Sequence, residues 1–149
     1  MDRLTWHAEY GSGLAEIDQE HQQLLEQLQQ LAAAIVRGDS YATLKPRLLD
    51  CVAETEAHFQ HEETLMAAAN HPHYLSHRAA HQNLLRDLGR VMEEIKAQPE
   101  ALSAATVETI GQLVVQHICN EDLPMLYLLT HPEELAQQQA EQLTAETCF

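Results

Sequence analysis

Apolar side chains recur at three- and four-residue steps along four stretches of the chain, which is the spacing of one buried face of an α-helix. The first helix is expected to begin with Asp18 as its N-cap and to end at Gly38, in the left-handed position after the last turn. The second is expected to start near Thr43, so that Pro46 lies in the first turn, where a missing N–H costs nothing. Residues 70–72 break it.

The third and fourth helices are bounded by similar signals. The third is expected from residue 73 or 74 to Gln98, which precedes a proline. The fourth begins between residues 100 and 103 and kinks or ends just past Asp122, because Pro124 removes a backbone donor.

The two ends of the chain follow no core-facing helical pattern. Residues 1–16 predict an extended arm anchored by Trp6 and Tyr10, and Pro132 opens a Gln-rich helix at about 132–146. The predicted fold class is therefore all-α: an up-down-up-down four-helix bundle with an N-terminal arm and an extra C-terminal helix. We expect one domain over 1–149, with a core of about 6–130 and an extension of about 131–149.

Composition narrows the classes of partner. Eight Lys and Arg against 23 Asp and Glu give a formal charge of −15, which repels nucleic acid and anionic membrane surfaces. No apolar run approaches the ~20 residues of a membrane span, and the first residues lack the basic and apolar regions of a signal peptide. A cytoplasmic protein is expected, with no nucleic-acid or membrane partner.

The three cysteines do not indicate a covalent or metal-binding framework. Cys51, Cys119 and Cys148 are odd in number and form no CxxC, so neither a disulfide scaffold nor a thiolate zinc site is indicated. Cys51 and Cys119 fall on helical patterns as small core residues, and we assign no role to Cys148.

Histidines on the predicted inner faces carry the candidate chemistry. His58 with Glu62, and His77 with His81, have the i, i+4 spacing that puts two side chains one turn apart on the same face of a helix. With the donors of the other two helices, the set comprises His21, His58, Glu62, His77, His81, His117 and Asp122. The remaining histidines, His7, His61, His71, His73 and His131, are expected at the surface.

Five imidazoles and two carboxylates are too many donors for one ion with a vacant position, and they suit two ions bridged by the carboxylates. This donor set selects Fe, Mn or Zn over Ca or Mg. The chain contains neither the Glu-x-x-His pairs of ferritin-like di-iron proteins nor the His-Glu-x-x-His of zinc proteases. Neutral ligands stabilise the ferrous state, which favours reversible O2 binding over hydroxylation.

These motifs identify a family resemblance. The chain resembles the bacterial hemerythrins over about residues 6–122, through Trp6…Gly13…Ile17-Asp18-Gln19-Glu20-His21, His58-Phe59-x-x-Glu62-Glu63-x-x-Met66, Pro72…His77-x-x-x-His81 and His117-Ile118-x-x-x-Asp122.

The resemblance implies a non-haem di-iron site for O2. In it, His77, His81 and His117 bind one Fe ion, while His21 and His58 bind the other and leave a position open for O2. Glu62 and Asp122 bridge the two ions together with an oxo or hydroxo group. Because five residues rotate an α-helix by ~140° beyond a full turn, we expect Asp122 to diverge from His117 and reach the second iron.

The chain also departs from the family. His71-Pro72 stands where Tyr-Pro is usual, Leu113 replaces a usual Trp, and Leu84 and Leu85 stand where a Phe is common. The pocket is therefore expected to be more aliphatic and looser than usual, and to shorten the oxygenated state.

Three classes of function stay open. The first is a non-enzymatic O2 carrier, store or sensor, which as a sensor would need a signalling partner or a fused signalling domain. The second is a di-iron enzyme acting on peroxide or nitric oxide, and the third is iron storage or a structural zinc pair. Oligomeric state is not indicated by the sequence.

Overall fold

The computed structural model describes residues 4–147, which form helices and connecting turns with no β-strand among them. The all-α bundle with an extra C-terminal helix is confirmed. The helices are α1 Ala15–Arg37, α2 Tyr41–Ala68, α3 Tyr74–Ala97, α4 Ala104–His117, α5 Leu123–Thr130 and α6 Pro132–Thr147. Single 3-10 turns form at Ala8–Tyr10 and Pro99–Ala101, and a π-helical turn, Ile118–Asp122, joins α4 to α5.

Two expected helix starts were wrong. Helix α1 begins three residues before Asp18, whose carboxylate instead accepts hydrogen bonds from Ser12 N and Ser12 Oγ at 3.0 and 2.7 Å and so fastens the arm. Helix α2 is capped by Ser40, whose Oγ accepts from Thr43 N at 3.3 Å, so Thr43 is not the cap. Pro46 therefore lies within the helix, on a turn exposed enough for water to bond the carbonyl left without a donor.

The other ends agree with the pattern. Gly38 follows α1 with φ 90° and ψ 21°, the left-handed conformation that glycine adopts without strain. Helix α4 begins one residue past the expected interval, with Ser103 Oγ accepting from Thr106 N at 3.2 Å. Pro132 is the first residue of α6.

The bundle has a large core and a small one. The large core occupies most of the bundle and includes Leu28, Leu31, Leu48, Leu88 and Val107. The small core comprises Ile17, Met66, Met125 and Leu126, and it closes the end where α1 and α3 begin and α2 and α4 end. Between the two cores lies a layer of buried polar side chains.

Helix α6 packs outside the bundle, against the turn between α2 and α3. Gln139 Nε2 donates to the carbonyls of Ala69 and Asn70 at 2.9 and 3.0 Å, and His73 Nε2 lies 3.0 Å from Gln138 Oε1. Cys148 and the last residues of the expected extension lie outside the described residues. Within residues 4–147, no helix is long and apolar enough to cross a membrane.

Candidate metal centre

The polar layer contains all seven side chains singled out in the sequence. Each of α1, α2, α3 and α4 contributes to it through the turns nearest the small core. All seven are at most 8% exposed: His21, His58, Glu62, His77, His81, His117 and Asp122.

The two carboxylates divide the imidazoles into two groups. Oε1 of Glu62 lies 3.2 Å from His77 Nε2 and 3.0 Å from His81 Nε2, whereas its Oε2 lies 3.2 Å from His58 Nε2 and 3.6 Å from His21 Nε2. Each oxygen of Glu62 therefore faces a different set of imidazoles.

Asp122 divides the same imidazoles in the same way. Its Oδ1 lies 3.1 Å from His77 Nε2 and 3.0 Å from His117 Nε2, and its Oδ2 lies 3.0 Å from His21 Nε2. The result is a larger group of three imidazoles and a smaller group of two, which share both carboxylates: His77, His81 and His117 in the larger, His21 and His58 in the smaller.

Asp122 does not diverge from His117, as α-helical geometry had suggested. The chain from Ile118 to Asp122 is a π-helical turn, in which residues five apart lie on the same side of the helix. One extra residue in this turn brings the Asp122 carboxylate onto the imidazole of His117. Regular α-helix is thus lost before Asp122, and Pro124 follows in the first turn of α5.

Several donor atoms of the layer approach one another without forming hydrogen bonds. Within the described part of the chain, these buried atoms have no hydrogen-bond partner: Nε2 of His21, His58 and His117, Oε2 of Glu62, and both oxygens of Asp122. Leaving such groups unsatisfied costs about 1–3 kcal/mol each. Converging, unpaired nitrogen and oxygen atoms fit ions that accept their lone pairs, so the residues present suit a pair of metal ions.

Electrostatics in the layer are dominated by burial and by the contacts between acid and base. Burial alone would lower the pKa of His21 and of His77, but Asp122 and Glu62 outweigh it and raise each pKa to about 9. Burial would raise the pKa of Asp122, but His117, His21 and His77 lower it to about 2. The surrounding imidazoles also lower the pKa of Glu62. Binding of metal ions would therefore release protons from imidazoles.

Outside the layer, two carboxylates form hydrogen bonds with donor imidazoles, each through the ring nitrogen that points away from the layer. His58 Nδ1 donates to Glu20 Oε1 at 2.7 Å, and His81 Nδ1 donates to Glu63 Oε2 at 3.0 Å. A carboxylate can only accept, so it keeps the proton on Nδ1 and leaves the Nε2 lone pair directed inward. The sequence offered one signal for both residues: each is adjacent to a predicted donor, Glu20 to His21 and Glu63 to Glu62.

His71 is not a surface residue, which corrects the expectation for it. His61 is partly exposed, as expected off the donor face, but its side chain is engaged: it is about one-third exposed and donates from Nδ1 to Glu20 Oε2 at 2.7 Å. His71 is buried: its Nε2 donates to the carbonyl of Met125 at 3.1 Å, and its Nδ1 accepts from His73 N at 3.1 Å. His71 therefore ties the turn between α2 and α3 to α5.

A narrow cavity borders the smaller group of donors. Both of its imidazoles, His21 and His58, line the cavity, whereas only His117 does so from the larger group. The shared carboxylate of Asp122 also lines it, and the remaining walls are Leu24, Thr55, Phe59, Leu84, Val114 and Ile118. Leu84 is in the wall as expected, but Leu85 and Leu113 are half-buried outside it, which corrects the expectation for both.

A four-helix bundle whose helices all direct imidazoles or carboxylates into two groups sharing carboxylates defines a class of protein built to hold a pair of metal ions. The chain belongs to the hemerythrin family, because residues 12–129 match the Hemerythrin HHE cation binding domain.

Known proteins that are similar to the chain over most of its length are consistent with this family. The chain is 25% identical over 142 residues to Bacteriohemerythrin of Pseudomonas aeruginosa strain LESB58, covering 95% of this chain and 92% of that protein. It is 26% identical over 123 residues to Bacteriohemerythrin of Stenotrophomonas maltophilia strain R551-3, covering 82% and 78%. It is 20% identical over 124 residues to Bacteriohemerythrin of Clostridium acetobutylicum, covering 80% and 95%. No solved structure matches it significantly.

Proposed function

We propose that the chain binds O2 reversibly at a pair of iron ions and is not an enzyme. In this proposal the larger group, His77, His81 and His117, holds one ion, and the smaller group, His21 and His58, holds the other. Glu62 and Asp122 would serve both ions, because the two oxygens of each carboxylate face different groups. The ions, when bound, would supply the electrons for binding O2.

The observation that carries the proposal is the asymmetry of the two donor groups relative to the cavity. With both carboxylates counted, the larger group offers five donors and the smaller four, so the open position belongs to the smaller group. Both imidazoles of that smaller group also line the cavity. The open position therefore lies beside the cavity, where a small ligand would have room.

The chemistry of the cavity wall favours a small apolar ligand over a reaction that needs protons. Besides the donors themselves, the only polar side chain in the wall is Thr55. Its Oγ1 donates to the carbonyl of Cys51 at 2.7 Å, so its proton is already engaged. Peroxide reduction or nitric oxide reduction consumes protons, and this wall offers no free donor for them.

The test is a visible spectrum recorded through cycles of O2. The anaerobic, iron-loaded protein should contain two irons per chain and develop an absorption band in air that disappears under argon and returns with O2. Glu62→Gln, which removes the charge of one bridge, should abolish the band. Irreversible conversion to an oxidised spectrum, or turnover of added peroxide or nitric oxide, would contradict O2 binding and favour the enzyme.

One contact pathway favours an O2 sensor over a carrier. Asp122 lies three residues before Met125, and the carbonyl of Met125 accepts a hydrogen bond from His71. His71 belongs to the turn between α2 and α3, and this turn accepts a hydrogen bond from Gln139 of α6. A shift of Asp122 on O2 binding would reach α6, where a signalling partner or fused domain would detect it. Amide exchange in α6 should then differ between the oxygenated and O2-free protein; identical exchange would favour carriage or storage.

A further inference from the structure

The two donor groups differ in how many imidazoles remain when one ring loses its outside support, because the larger group has three and the smaller group two. Each group has one ring fixed by a carboxylate, His58 by Glu20 and His81 by Glu63. In the smaller group the second ring, His21, has a buried Nδ1 with no hydrogen-bond partner anywhere in residues 4–147. All external support for the smaller group therefore comes through His58.

We propose that Glu20 is a positioning residue on which occupancy of the smaller group depends, and that His61 holds Glu20 in place for this task. The inference rests on the two-metal site of the proposed function. Its physical basis is that a carboxylate bound to Nδ1 fixes the ring orientation, keeps the Nε2 lone pair free and makes that nitrogen a stronger donor. Loss of such a partner typically costs 10–100-fold in metal affinity.

The geometry of Glu20 shows why it needs a second partner. Glu20 is on α1, whereas His58 and His61 lie on α2, and each of its two oxygens accepts an Nδ1–H at 2.7 Å. The carboxylate is about 30% exposed, so its rotamer would otherwise be free to turn to water. Glu16 Oε2, also on α1, lies 3.9 Å from the other ring nitrogen, Nε2, of His61.

The asymmetry leads to an unequal expectation for the two carboxylates. Without Glu20, neither ring of the smaller group is held, and only two shared carboxylates and two free rings remain for its ion. Without Glu63, His77 and His117 still bind with His81. Removing Glu20 should thus weaken metal binding by the smaller group 10–100-fold, whereas removing Glu63 should weaken binding by the larger group to a smaller extent.

The test is a Zn²⁺ titration against a chromophoric chelator, because Zn²⁺ binds imidazole and carboxylate without redox change. The unsubstituted protein should bind two ions. Glu20→Ala should raise one dissociation constant 10–100-fold and leave the other unchanged. Glu63→Ala is the matched control and should alter only the other constant. Imidazole ¹⁵N signals assign each constant, because His21 and His58 should lose their zinc-bound shifts in Glu20→Ala alone.

Three further variants separate positioning from a general structural role. His61→Ala should reproduce part of the Glu20→Ala loss, and His61→Gln, whose amide still donates, should restore most of it. Glu20→Gln keeps the shape and accepts one hydrogen bond, so it should fold like the parent and lose less affinity than Glu20→Ala. Melting curves recorded without metal check that substitutions at these partly exposed positions leave the bundle folded.

The outcomes are distinct. A parent protein that binds fewer than two Zn²⁺ ions contradicts the two-metal site and with it the proposed function. A parent that binds two, with Glu20→Ala unchanged or weakened equally at both positions, contradicts only the role of Glu20. A full loss in His61→Gln contradicts the role assigned to His61.

Discussion

The bundle interior has an apolar end, formed by the large core, and a polar end, formed by the polar layer together with the small core that closes it. Both ends are buried, but they are stabilised in opposite ways. Leu31 in the large core and Glu62 in the polar layer are both fully buried. Burying a leucine removes apolar surface from water and stabilises the fold by about 1.5–3 kcal/mol. Burying Glu62 and its imidazoles costs free energy unless every polar atom finds a partner. The apolar end folds from its own chain, whereas the polar end depends on what it binds.

This difference explains why buried polar atoms without a hydrogen-bond partner are concentrated in one part of the molecule. Apart from Gln27, the unpaired buried side-chain atoms of residues 4–147 all belong to the donor residues. The small core beyond them contains only four buried apolar side chains, far fewer than the large core, so less apolar burial offsets that cost at this end. Function and instability are thus concentrated in the same layer.

Removing the ions should have the largest effect and should act on the polar end. At free metal 1,000 times the dissociation constant, one bound ion stabilises the folded state by about 4 kcal/mol. Chelation should therefore lower the melting temperature, and amide exchange should rise most at the start of α1 and in residues 114–126. Uniform loss of protection along all helices would contradict the division into two ends.

Truncation in the apolar end should be nearly as costly but independent of metal. Leu31→Ala leaves a cavity in the large core and should cost about 2–5 kcal/mol, equally with and without Zn²⁺. The matched control is Leu49→Ala at a position 47% exposed, where surface substitutions change stability by about 0.5 kcal/mol or less. Urea melts measure both, and a reduced Zn²⁺ affinity in Leu31→Ala would show that the ends are coupled.

The N-terminal arm should respond to a single methyl group in α4. A Cβ at Gly111 would overlap the side chain of the buried Leu4, whose carbonyl accepts from Gln29 Nε2 at 2.8 Å. Gly111→Ala should therefore dislodge the arm and cost about 1–3 kcal/mol, although alanine favours the helix. Gly89→Ala, where nothing lies within 4 Å of the new methyl, should instead stabilise by about 1 kcal/mol. Urea melts and the Gln29 side-chain amide signal report both.

A pH dependence is also expected, and only the metal-free protein should show it. His21 and His77 have folded pKa values of about 9 against 6.5 unfolded, so their stabilisation is complete below pH 6.5 and is lost as pH rises through 9. Asp122 has a folded pKa of about 2 against 3.8, so its contribution is complete above pH 3.8 and is lost as pH falls through 2.

Melting temperatures of the metal-free protein should therefore be highest between about pH 4 and 6.5 and fall toward pH 9. The Zn²⁺-loaded protein should not show the alkaline decline, because metal ions take the place of the protons. His77→Gln should flatten the decline in the metal-free form. An alkaline decline of the same size in the loaded protein would contradict this account.

The sequence predicts most of the donor layer because α-helices are rigid. His58 with Glu62 and His77 with His81 share a face wherever the helix continues, and the apolar pattern says which face is buried. The bundle follows from four such faces. The apolar pattern does not determine which residue caps a helix. Ser40 and Thr43 both carry a hydroxyl group that can cap α2, and only the structure shows that Ser40 is the cap.

Other features depend on partners far along the chain or on departures from α-helical geometry. His71 is buried because it meets a carbonyl 54 residues away, which no local pattern indicates. The orientation of His61 could not be predicted for the same reason, because its hydrogen-bond partner Glu20 lies 41 residues earlier in the sequence. The convergence of Asp122 on His117 needed the π-helical turn, and Pro124 was the only local sign that the helix was irregular there.

That turn also makes the site sensitive to a kind of genetic change that the bundle would tolerate. Inserting one residue between Ile118 and Glu121 would keep the apolar face of α4 intact, because that face lies before the turn. It would also place the Asp122 carboxylate six residues after His117, about 240° around an α-helix and away from the imidazole. A one-codon insertion in this five-residue turn would leave a helical protein of nearly unchanged size with one of its two shared carboxylates lost.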